Sequence, residues 1–121
     1  MWSDEPILDA DTMPRLAHLG GPAFVDELVR IFEDHGTQRV HAIADAAGHA
    51  DLNTVRRGAH SLVSTAGHLG ARRLAGLCAA LERAAATLDT TTVTALVPAL
   101  APTFAASRDA LASRLPAPLA A

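Results

Sequence analysis

Apolar residues return every three or four positions along most of this chain, the spacing of helices with one face turned inward. The pattern is cleanest between Leu52 and Leu69. At roughly 100° of turn per residue, Leu52, Val55, Ala59, Leu62, Ala66 and Leu69 fall along one side. Upstream, Leu8, Leu16 and Leu19 predict the contacts of a short first helix, opened by Asp9 or Asp11. Pro14 fits because it falls in the first turn. Gly20-Gly21-Pro22 closes that helix and opens a second, expected over about 22–47. Its inner side is assigned to Phe24, Leu28, Ile31, Phe32, Val40 and Ile43. Its solvated side is assigned to Asp26, Glu27, Glu33, Asp34, Arg39 and Asp45.

Asp51 is placed to cap the third helix, which should end near Leu69-Gly70. A fourth, from Ala71 to about Leu88, turns Leu74, Leu77, Cys78, Leu81 and Leu88 inward. The last is capped by Asp89, Thr90 or Thr91 and runs to about Leu115, with Pro98 and Pro102 kinking or delaying it. No strand pattern and no internal repeat interrupts the series. Short connections between four long helices imply an all-α fold: an antiparallel up-down four-helix bundle preceded by a short helix. The bundle should occupy residues 7–115, with a flexible lead-in at 1–6 and a loose tail at 116–121.

Composition narrows the reading. The 121 residues suffice for one core and not for two. Hydrophobic residues make up 50% but aromatic ones only 3%, so the helices should be Ala- and Leu-rich and closely packed. A net charge of −3 argues against nucleic acid as the main partner, and no apolar run is long enough to insert in a membrane. The acidic start, Met1-Trp2-Ser3-Asp4-Glu5-Pro6, lacks the layout of a signal peptide, and the single cysteine fits a reducing cytoplasm.

The candidate chemistry lies on the third helix. His60 sits roughly 110° around from the middle of the apolar side, neither in the core nor on the outermost face. Ser64 and Gly67 share its face and leave room for another protein. A neutral imidazole is a nucleophile near pH 7, and phosphoryl transfer requires mainly positioning and charge stabilisation. A histidine here can equally serve packing alone. His68 is two turns away, roughly 12 Å along the axis, too far for a shared metal. His18, His35, His41 and His49 show no helical i, i+4 pairing, so no metal site is expected. Cys78 reads as a buried small residue.

Ala59-His60-Ser61-Leu62, Ala66, Leu69-Gly70-Ala71, Leu74-Ala75, Leu77-Cys78 and Leu81-Glu82 together resemble the pattern of histidine phosphotransfer (HPt) domains of bacterial phosphorelays. Ile7-Leu8-Asp9, Leu16 to Gly21, Phe24 to Phe32 and Asp51-Leu52 extend the resemblance upstream. It implies a phosphocarrier without kinase activity or a cofactor of its own, with His60 as phospho-acceptor. It implies as partners the receiver domains of a hybrid histidine kinase and of a response regulator, Mg²⁺ being held by the receiver. A monomer is expected. Glu82 matches the family and is read as a surface or interhelical polar contact.

One departure stands out: the family usually has Lys-Gly three and four residues after the histidine, and here Val63-Ser64 stands there. Arg56 and Arg57, one turn before His60, are candidate substitutes for the lysine, Arg57 in particular. The Ser64 hydroxyl can donate to a phosphate or bond back to the His60 carbonyl. Ser61, Gly67 and His68 border the same surface. Two other readings belong to different classes: a degenerate module that docks receivers without carrying phosphate, and a plain helical interaction module.

Overall fold

The computed structural model describes residues 1–113. Helices begin and end where local chemistry dictates. α1 spans Thr12–Gly48, α2 Leu52–His68, α3 Arg72–Ala86, α4 Thr90–Leu96 and α5 Leu100–Ser113. The two helices expected before residue 48 form one long element broken at Gly21, whose φ of 82° and ψ of 177° are not helical. Glycine reaches that conformation without a Cβ penalty, and Pro22 then restarts the helix. The last expected helix is likewise divided, since Val97–Ala99 is a 3-10 turn around Pro98 between α4 and α5. The predicted end near Leu115 and the tail at 116–121 lie outside the described residues.

Three short connections share one geometry. In each, the middle residue is left-handed: Ala50 at φ 55°, Gly70 at φ 74° and Leu88 at φ 59°. The next N–H turns back to the preceding helix, Asp51 to the carbonyl of Ala46 at 2.9 Å, Ala71 to Ala66 at 2.9 Å and Asp89 to Ala84 at 2.8 Å. This is the Schellman closure, which satisfies carbonyls that the helix end leaves unpaired. Asp51 and Asp89 then cap the following helices by accepting from the N–H groups of Thr54 and Thr92. At the chain start the cap is Asp9, which accepts from the Thr12 N–H at 2.8 Å and its hydroxyl at 2.7 Å.

The inner faces meet in one core. α2 packs against both α1 and α3, and α5 closes the bundle against α1 and α3. Val55, Ala59, Leu62 and Ala66 of α2 are buried, as the spacing predicts. The aromatic rings of Phe32 and Phe104 join α1 to α5 with centroids 5.1 Å apart. Gly36 allows that approach, since a Cβ there would lie 2.3 Å from the Phe104 ring.

The inner face of α1 differs from the expected one. Val25 and Val29 are buried with Phe32, whereas Phe24 and Ile31 are 41% and 40% exposed. Leu19 and Leu88, also assigned to the interior, face solvent. Leu88 follows the last turn of α3 and occupies the left-handed link, which turns its side chain out. Residues 1–6, expected as a flexible lead-in, lie against α3. Trp2 packs onto the core, the Arg73 N–H donates to the Pro6 carbonyl at 2.9 Å, and Arg72 pairs with Glu5 at 3.2 Å.

Candidate histidine site

His60 projects from the middle of α2 with its side chain 69% exposed. The preceding residue, Ala59, is fully buried, so the helix is anchored immediately beneath it. On α3, Glu82 follows the buried Leu81 and reaches across the groove between the two helices. Its carboxylate oxygen Oε1 lies 2.8 Å from His60 Nδ1. An ionised carboxylate only accepts hydrogen bonds, so Nδ1 carries the donated proton. The Nε2 of that tautomer is then left with its lone pair facing outward. Glu82 is 30% exposed and is the more buried partner of the pair.

The surroundings of His60 are small. Gly67, two turns further on, has open space where a Cβ would stand. Ser64 is exposed and makes no hydrogen bond among the described residues; its neighbour Thr65 instead donates to the Ser61 carbonyl at 3.0 Å. Ala75 and Ala79 precede Glu82 by seven and three residues, hence on its side of α3, and both are half-buried. Together these residues make a low platform around a raised imidazole.

The remaining predicted residues divide. Val63 is partly buried and packs against the core, so its position offers no group to a phosphate. Arg56 donates to the Asn53 side chain at 3.0 Å, within its own turn. Arg57 is exposed one turn before His60, where its charge helps hold the Asp51 carboxyl below the usual range; the larger causes are the hydrogen bonds from Thr54. His68 is exposed in the last turn of α2, away from the His60–Glu82 pair. Ser61 faces α1, where its hydroxyl accepts a hydrogen bond from Arg39 Nε at 3.0 Å.

Glu82 and Arg39 are the residues that the sequence did not assign to the site. The sequence marks Glu82 as a polar contact and Arg39 as part of a solvated face. Among the described residues no group of three His, Cys, Asp or Glu side chains could hold a metal ion, and no helix is long and apolar enough to cross a membrane.

A helical bundle carrying an exposed histidine, oriented by a carboxylate and surrounded by small side chains, defines a phosphotransfer class of protein. The chain belongs to the Hpt domain family, whose model matches residues 27–114. Among solved structures it is similar to histidine-containing phosphotransfer protein B (HptB) from Pseudomonas aeruginosa PAO1. The two share 25% identity with a TM-score of 0.77, over 91% of this chain and 95% of that one. A search of curated proteins returned no match.

Proposed function

We propose that this chain is a phosphorelay carrier in which His60 accepts a phosphoryl group from the aspartyl phosphate of one receiver domain and passes it to the aspartate of another. The observation that carries the reading is the 2.8 Å contact between His60 Nδ1 and Glu82, which leaves Nε2 exposed and nucleophilic. In the first transfer the Nε2 lone pair forms a bond to phosphorus while the bond from phosphorus to the aspartyl oxygen breaks, returning a carboxylate to the receiver. The imidazole then bears positive charge, with its proton still on Nδ1. Glu82 stabilises that charge as it develops, an electrostatic contribution made by a group already in place. In the second transfer the nitrogen–phosphorus bond breaks, and imidazole leaves in its neutral, Nδ1-protonated form.

The partners are the receiver domains of a hybrid histidine kinase and of a response regulator. Each would supply its own Mg²⁺, so this chain requires no cofactor and has no autonomous kinase activity. It acts in the cytoplasm as a monomer. A receiver settles on the platform of Ser64, Gly67, Ala75 and Ala79. Such an interface is modest in area and short-lived.

The packed Val63 favours one second reading, a module that docks receivers without carrying phosphate. Phosphoramidate separates the two. Wild type should acquire one acid-labile phosphate and pass it to a receiver domain, and His60→Gln should acquire none. A folded wild type that binds receivers but stays unlabelled would select the docking module.

A further inference from the structure

Phosphoryl transfer concentrates negative charge at the acceptor, and a nearby cation favours it. The residues that follow His60 on its face of α2 offer no such group: Val63 is packed inward, and Ser64 and Gly67 are neutral, while Arg57, one turn before it, acts on the Asp51 carboxyl. On α3 the nearest charge is the carboxylate of Glu82. Several other arginines are already engaged. Arg30 pairs with Asp26 and Glu27, Arg72 with Glu5 and Arg108 with Asp109. Arg56 is tied to Asn53 in the preceding turn.

Arg39 differs from all of these. It stands on α1, and its Nε donates to the hydroxyl of Ser61, the residue that follows His60. No carboxylate neutralises it among the described residues, and its two terminal nitrogens make no other hydrogen bond there. The tether takes one N–H and fixes a full positive charge beside the histidine turn. Adjacent side chains on a helix diverge by about 100°, so the guanidinium stands beside the histidine turn without touching the imidazole. Its charge acts there through space, and added salt screens it.

Resting on the phosphocarrier reading above, we propose that Arg39, held by Ser61, is a positioning residue for phosphotransfer: its charge, delivered from α1, draws the phosphoryl donor to His60 and favours the anionic product.

The test is the initial rate of His60 labelling by phosphoramidate in wild type, Arg39→Gln, Arg39→Lys and Ser61→Ala, each checked for native helicity and thermal melting. Arg39→Gln should label about two- to fivefold more slowly at low ionic strength, with the gap closing in 0.5 M salt. Arg39→Lys, which keeps the charge, should stay near wild type. Ser61→Ala should fall between, because the charge is present but untethered. A purely structural role for Arg39 would produce neither the salt dependence nor the lysine rescue. Equal rates for Arg39→Gln and wild type would overturn the proposal while leaving the carrier reading standing, and a wild-type rate for Ser61→Ala would overturn the role of the tether. A wild type that acquires no label would bring down the carrier reading, and this inference with it.

Discussion

Glu82 lies 22 residues from His60 in the chain, yet it is the group that decides which imidazole nitrogen faces outward. A charge-assisted hydrogen bond of this kind is stronger than a neutral one, and its partial exposure moderates the effect. Glu82→Gln preserves size and an acceptor oxygen but removes the charge that stabilises the phosphorylated ring. We expect labelling by phosphoramidate to slow about fivefold, corresponding to about 1 kcal/mol of transition-state stabilisation. A time course of acid-labile phosphate measures it, and an unchanged rate would remove Glu82 from the chemistry. The position of His60 at the edge of the apolar stripe was legible from helical spacing. Its contact with Glu82, and that of Arg39 with Ser61, were not. Periodicity tells which way a side chain points from its own helix, not which side chain of a neighbouring helix it meets.

Among the elements, the helix ends were read more reliably than the helix faces. Asp51 and Asp89 announce their caps because a short acceptor followed three residues later by threonine is a local device. On α1, Phe32, Val40 and Ile43 are buried as the spacing predicts, but Phe24 and Ile31 are not, because two apolar rows lie side by side on its first turns. Phe24, Leu28 and Ile31 form one, and Val25, Val29 and Phe32 the other; burial of the second is a tertiary outcome. Leu88 likewise kept helical register on paper while the chain had already turned. Its left-handed backbone costs a non-glycine residue about 1–2 kcal/mol, and with 75% of the side chain exposed little burial offsets that cost. Leu88→Gly should therefore stabilise the protein by about 1 kcal/mol, after the greater flexibility of glycine in the unfolded chain is counted. Urea unfolding would reveal it as a higher midpoint at constant slope. A lower midpoint would show that Leu88 contributes contacts that its exposure hides.

At the level of the whole molecule, the three aspartate caps also set the response to acid. Hydrogen bonds from Thr12, Thr54 and Thr92 hold the carboxyls of Asp9, Asp51 and Asp89 below the ordinary value of 3.8. A carboxyl that is more acidic in the folded than in the unfolded state stabilises the fold above its unfolded pKa. That contribution is lost as pH falls through the folded pKa. The melting temperature should thus lose this contribution progressively below about pH 4. Asp51→Asn with Asp89→Asn keeps cap geometry without titrating, and should flatten the dependence in that window. An identical acid profile in the double variant would assign the loss to other groups. The bundle itself was legible because apolar residues recur every three or four positions along its helices. The docking of residues 1–6 on α3 was not, because short polar segments carry no period.

The low platform around His60 has a thermodynamic consequence. Glycine and alanine have no side-chain rotamers to freeze, and serine has few. A domain that settles on Gly67, Ala75, Ala79 and Ser64 therefore orders almost nothing on this side of the interface, and gains few anchoring contacts in return. Association and release are both easy on such a surface. On the carrier reading proposed above, residence time then depends on what the departing and arriving domains do to the phosphoryl group, and one histidine can be visited by successive partners without retaining any of them.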